Sequence, residues 1–278
     1  LATYAKDRDI AIRTLEYSAG ITSVNALTEQ VSPTTAAVIC QSPNFFGCVE
    51  DLNQLAGVAQ AAGALFIASV NPISLGILEA PGHLGADIVV GEGQTMGLPL
   101  SFGGPYIGFL ATRDKWLRRT PGRIVGQTVD AEGTRGFVLT IQAREQHIRR
   151  DKATSNICSN EALCSLAVAV YLTALGKEGL PAVANLCVQK ARYAQKAILD
   201  VPGFQPVFSQ PFFNEFVVRC PVPPAEINAE LREAGVVAGL DLGNYYPELA
   251  GCLLTAVTEK RTREEIDLLA GMLKEVTA

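Results

Sequence analysis

Short apolar runs alternate with polar, helix-spaced stretches through the first part of this chain. Residues 36–40 (AAVIC), 64–70 and 88–90 read as strands buried on both faces. Between the first two, residues 51–62 carry Leu52, Leu55, Val58, Ala59 and Ala62 on one helical stripe that stops at Gly63. Strand, crossover helix, strand predicts a parallel sheet with right-handed crossovers. Ahead of this unit, residues 1–7 read as the end of a helix, 10–15 as an alternating strand and 25–30 as a short helix. Beyond it come a polar turn at 91–95, a Pro/Gly-rich hairpin at 98–108 and an apolar run at 106–111.

A charged loop at 113–123 follows, then a short strand at 137–141 and a helical pattern at 142–150. Ser159 is placed to cap an apolar helix over 160–175 that ends at Gly176. Residues 178–201 read as a long amphipathic helix with Pro181 in its first turn. At Pro202-Gly203 the pattern changes to strand 213–219, helix 224–234, strand 253–257 and helix 262–276. Thr262 and Glu265 form a capping box for that last helix. The division this predicts is a large α/β domain over 1–200 and a small α+β domain over 201–278. Leu1 to Ala5 read as the middle of a helix with no cap before it, so the large domain is expected to lack its N-terminal part.

With 48% hydrophobic and 18% charged residues, the composition is that of a folded globular protein. A net charge of −5 argues against nucleic acid or an anionic membrane as partner. The apolar runs are short and interrupted, so no membrane span or signal peptide is expected. Seven cysteines without a CxxC pair, and two distant histidines, point to buried thiols in a reducing cytoplasm and to no metal site.

Ligands in α/β sheets sit past the carboxyl ends of the strands, which directs attention to 91–95. Gly91-x-Gly93-x-x-x-Gly97 is dinucleotide-like, yet that motif needs a helix to start there, and Pro99, Gly103, Gly104 and Pro105 forbid one. The turn holds no nucleophile, base or metal cluster. The densest polar stretch is 144–156. There Arg144, His147 and Asp151 are expected to share a helical face, and Glu145 to pair with Arg149. Lys152, Thr154, Ser155 and Asn156 extend it with groups suited to an anion.

Long segments carry a family resemblance: SPNFFGCVED (42–51), NPISLG (71–76), GADIVVGEGQTMGLPLSFGGPYIGF (85–109), PGRIVGQTVD (121–130) and REQHIRRDKATSNICSN (144–160). They resemble the glycine decarboxylase P protein of the glycine cleavage system, and within it the subunit 1 (α chain) branch of the two-subunit bacterial form. The resemblance covers almost the whole chain. It implies the aminotransferase fold type I of pyridoxal-phosphate (PLP)-dependent transferases.

In that family the catalytic subunit 2 holds PLP as a Schiff base on the lysine of a His-Lys pair, just after the strand matching 88–90. Here the position reads Gln94-Thr95, and no lysine occurs between Lys6 and Lys115. Such enzymes also place an aspartate under the pyridine nitrogen at the end of the preceding strand. Here that strand runs into Asn71. The resemblance therefore implies a chain with no catalytic residue and no PLP of its own. It would retain a degenerate pocket at Asn71, Glu92, Gln94 and Thr95. Its role would be to support subunit 2 in an α2β2 assembly that decarboxylates glycine and passes the aminomethyl group to lipoyl H protein. Arg144, His147, Arg150, Lys152, Thr154, Ser155 and Asn156 are then candidates for contact with the partner's site. A free-standing PLP-fold enzyme, such as an aminotransferase, and a non-catalytic scaffold are the alternatives.

Overall fold

The computed structural model describes residues 1–153 and 160–277. After the short helix α1 (Ala2–Ala5), residues 10–16 pair with no strand among the described residues, and Ile10 and Ile12 are exposed. The strand expected at 10–15 is therefore absent, because alternation makes a strand only where a neighbour supplies the ladder. Pairing begins at a tight hairpin, β1 (Tyr17–Ser18) and β2 (Ile21–Thr22), whose turn residues Ala19 and Gly20 both have positive φ. Helix α2 (Val24–Gln30) follows.

The first sheet has the order β3 (Ala37–Ser42), β4 (Leu65–Val70), β5 (Ile88–Glu92), β6 (Gly108–Thr112). Its first three strands are parallel and β6 is antiparallel to β5. Helix α3 (Leu52–Ala61) connects β3 to β4, as its stripe predicts, and Asp51 caps it through the Gln54 N–H. Burial differs from expectation. Val38, Cys40, Phe66, Ala68 and Val70 face a core shared with Leu52, Leu55 and Ala59 of α3, but Ile39 is exposed and Ile88 to Val90 are only partly buried. Helices cover one face of the sheet well and the other only in part, so an unbroken apolar run overstates two-sided burial.

The loop read as charged leads into a strand not expected from the sequence, β7 (Ile124–Val129), which pairs with β8 (Arg135–Thr140) as an isolated ribbon. Its turn is tied by Asp130, whose carboxylate accepts from the Glu132 and Thr134 N–H groups at 3.0 and 2.8 Å. The helix expected at 142–150 is broken into a short 3₁₀ turn (Gln142–Arg144), α4 (Gln146–Arg149) and a second 3₁₀ turn. Ile141 and Arg150, both at positive φ, bound these pieces.

Helix α5 spans Ala162–Leu199, with Gly176 at φ 61° and ψ −167° inside it, so the chain makes two helices there. The break falls where the sequence expects it. The cap expected at Ser159 lies outside the described residues; Asn160 accepts from the Ala162 N–H at 3.2 Å. By length and composition this run could cross a membrane. The segment before Gly176 is only about 21 Å long, however, short of a hydrocarbon core of about 30 Å. The segment after it buries Ala184, Cys187, Ala191, Ala194 and Ile198.

Of these, Ala191, Ala194 and Ile198 pack on a second sheet of order β11 (Leu240–Asp241), β12 (Cys252–Ala256), β10 (Glu215–Arg219), β9 (Gln205–Pro206), together with α6 (Pro224–Glu233) and α7 (Arg263–Val276). The capping box is formed: Glu265 N–H donates to Thr262 Oγ1 at 3.2 Å and Thr262 N–H to the Glu265 carboxylate at 2.8 Å. Phe46 and Cys48, from the loop after β3, pack with Val217, Leu242 and Leu249 on the other face of this sheet.

Candidate functional site: the strand ends of the first sheet

The carboxyl ends of β3, β4 and β5 lie side by side, where the fold puts chemistry. The polar side chains there are largely engaged by the chain itself. Past β3, Asn44 donates to the Gly20 carbonyl and to Glu50, both at 2.7 Å, and accepts from the Phe46 and Cys48 N–H groups. Past β4, Asn71 Oδ1 accepts from the Ile73 N–H at 3.0 Å, and its carbonyl accepts from the Ser74 hydroxyl at 2.7 Å. At the end of β5, Glu92 Oε1 takes the N–H groups of Gln94 and Ile107, each at 3.0 Å. Gln94 Nε2 donates to the Leu98 carbonyl at 2.7 Å. Thr95 is exposed. These four predicted pocket residues thus sit at neighbouring strand ends, but three of them spend their side chains closing their own loops.

Helix α5 covers this end of the sheet. Ile73 and Met96, from the loops past β4 and β5, are buried with Ala184 and Cys187 of α5 and with Phe213. Gly97 sits so close to Tyr171 that a Cβ would lie 2.8 Å from it. Behind this seam, Cys187 donates to Glu259 Oε2 at 3.4 Å and the Lys190 ammonium donates to the Glu259 carbonyl. Burial, chiefly, pushes the Cys187 thiol up to about 11. No sequence motif singled out this cluster, because its members come from distant parts of the chain. A groove of about 830 Å³ lies elsewhere, between α6 and α7, floored by Leu231 and Met272 and edged by Glu226, Glu230 and Glu275.

Lys115 pairs with Asp87 at 3.0 Å, at the opposite end of β5 from Glu92. Burial works against the charge of Asp87, but Lys115, the Phe66 N–H and the Trp116 indole outweigh it and hold its pKa below the usual carboxylate range.

The polar stretch divides differently from the expected helical face. Arg144 is buried, 6% exposed, and its guanidinium donates to the Thr120 carbonyl and, at 2.5 Å, to the Gly122 carbonyl. Its ion pair is with Glu145, at 3.5 Å, which takes the place of the expected Glu145–Arg149 pairing. Because Thr120 and Gly122 precede β7 and Arg144 follows β8, one side chain clasps the base of the ribbon. Its Nε is buried without a partner among the described residues. His147, Arg150 and Lys152 are exposed just beyond the clasp. Thr154, Ser155 and Asn156 lie outside the described residues.

Residues 1–273 match the family model described as glycine cleavage system P-protein. The chain belongs to this family. It is 55% identical over 275 residues to the "probable glycine dehydrogenase (decarboxylating) subunit 1" of Desulforamulus reducens, covering 99% of this chain and 62% of that protein. The protein of the same description from Moorella thermoacetica is 54% identical over 278 residues, covering 100% and 63%. The chain thus spans about 62% of the length of such relatives. A crystal structure of glycine decarboxylase (P-protein) in inhibitor-bound form superposes with a TM-score of 0.91 at 44% identity, over 99% of this chain and 61% of that one. A NifS-like protein from Rickettsia africae, 12% identical with a TM-score of 0.70 over 99% and 72% of the two chains, shares the fold. The architecture is that of fold type I, the PLP-dependent transferase fold, as the resemblance implies.

Proposed function

We propose that this P-protein chain is the non-catalytic partner in a two-subunit glycine decarboxylase. In that assembly a second chain of the family, subunit 2, carries PLP, decarboxylates glycine and delivers the aminomethyl group to lipoyl H protein in the cytoplasm. The observation that carries the reading is Gln94. It stands where the family's lysine is expected, and its amide is tied to the Leu98 carbonyl at 2.7 Å. An amide nitrogen is not a nucleophile and cannot condense with an aldehyde.

The residues present do not fit a PLP group held by this chain. Gln94 rather than a lysine follows β5, Asn71 rather than a carboxylate follows β4, and the side chains of Asn71, Glu92 and Gln94 are already bonded within their loops. What the chain offers instead is shape and a basic surface. His147, Arg150 and Lys152, with Thr154, Ser155 and Asn156 beyond them, are proposed to face the partner's anionic cofactor or substrate. Charge-assisted bonds there are worth roughly 1.5–3 kcal/mol each.

Glycine–bicarbonate exchange by subunit 2, with and without this chain, tests the reading. Exchange that needs both chains supports it. Equal exchange by subunit 2 alone would make the chain a scaffold, and PLP-dependent activity of this chain alone would make it a free-standing enzyme.

A further inference from the structure

A two-stranded ribbon is marginal in water unless something covers it. One face of the β7–β8 ribbon carries Ile124, Gly126, Gly136 and Thr140, which are half-buried, and Thr128 and Val138, which are exposed. The register sets Val125 opposite Leu139, Gln127 opposite Phe137 and Val129 opposite Arg135 on the other face. Solvated sheet faces carry polar side chains at such positions. Here Val125, Val129, Phe137 and Leu139 are 58%, 62%, 64% and 44% exposed. The ribbon's outer edges pair with no other strand among the described residues.

A second unpartnered apolar feature lies on the first segment of α5. Leu163, Leu166 and Val170, spaced for one helical stripe, are 80%, 61% and 61% exposed. On the other side of this segment Cys164 contacts the Pro105 carbonyl, so the stripe turns away from the chain's own loops.

We infer that the β7–β8 ribbon is an arm that docks, through Val125, Val129, Phe137 and Leu139, on the second subunit of the assembly, with the α5 stripe as a second contact. The inference rests on the partner-subunit reading above and names the surface that reading needs. The extent of the surface favours this occupant. The seven side chains expose roughly 800 Å² between them, about what one partner contributes to a stable interface. Gln127 and Arg135 are the arm face's polar positions, a composition closer to a permanent subunit contact than to a transient one. Arg144 clasps the arm's base, and His147, Arg150 and Lys152 follow directly. Docking the arm therefore brings the basic segment to the partner.

The test measures binding of the full chain to subunit 2 by sedimentation, alongside hydrogen exchange of both chains. Phe137→Ser combined with Leu139→Ser is expected to weaken association by about 100-fold or more, with the isolated variant unfolding within a few degrees of the parent. Val129→Thr, nearly isosteric, is expected to weaken it about 5-fold, and amides in 124–140 are expected to slow in exchange when subunit 2 binds. Binding of the double variant within threefold of the parent, or a formed complex with no slowing across 124–140, would overturn the arm while leaving the partner reading intact. Failure of the parent chain to bind subunit 2 would overturn both. Self-association of this chain that the double variant abolishes, with subunit 2 binding untouched, would assign the arm to a second copy and reject the occupant named here.

Discussion

Replacing Arg144 by alanine is expected to destabilise the chain by about 3 kcal/mol, because a buried ion pair loses one member and leaves the other uncompensated. Glu145, whose side chain is 12% exposed beside Arg144, would border the vacated space. The carbonyls of Thr120 and Gly122 would lose the donors that tie them to the far side of the ribbon. Lysine does not restore this. Its single ammonium lacks the planar fork that reaches two carbonyls at once, so Arg144→Lys is expected to recover less than half of the loss. Urea unfolding reads the energy, and hydrogen exchange across 124–140 reads the loosened arm. An alanine variant within about 0.5 kcal/mol of the parent would show that Arg144 behaves as an ordinary surface arginine.

The largest single-site effect is expected at Gly47. Its φ of +81° disfavours any L side chain, and a Cβ there would sit 2.0 Å from the Glu215 carbonyl oxygen. This contact holds the loop after β3 against β10, beside the Cys48–Phe212 bridge. Backbone meets backbone, so no rotamer change relieves the overlap. Gly47→Ala is expected to cost about 4 kcal/mol, at the upper end for point changes. Gly57, on the open face of α3, has nothing within 4 Å of the place a methyl group would take, and serves as the control. Gly57→Ala is expected to stabilise by about 0.5–1 kcal/mol. Thermal unfolding distinguishes the two, and equal midpoints would contradict the close approach.

Much of this arrangement is legible in the chain itself. Continuous apolar runs locate β3 and β4, helical patterns locate α3, α6 and α7, and Gly176 marks the break in α5. The missing lysine before Lys115 is plain in the sequence. What periodicity misses has identifiable causes. Residues 10–15 alternate without a partner strand, and alternation says nothing about pairing. β7 carries Gly126, Gln127 and Thr128 among its apolar residues, which weakens its signal, and only the pairing with β8 makes it a strand. Arg144 reads as solvated in a row of charges, yet folding carries it inside, because the carbonyls it serves are 24 and 22 residues upstream. The side chains at the strand ends are visible as residue types, but their mutual loop bonds are not.

This chain is expected to bring no reactive amine to the assembly. Borohydride reduction of the reconstituted two-subunit complex with PLP, followed by peptide mapping, tests it most directly. A stoichiometric pyridoxyl label is expected on subunit 2 and none on this chain. A stoichiometric label on Lys115, Lys152 or Lys190 of this chain, abolished by its replacement with arginine, would contradict it.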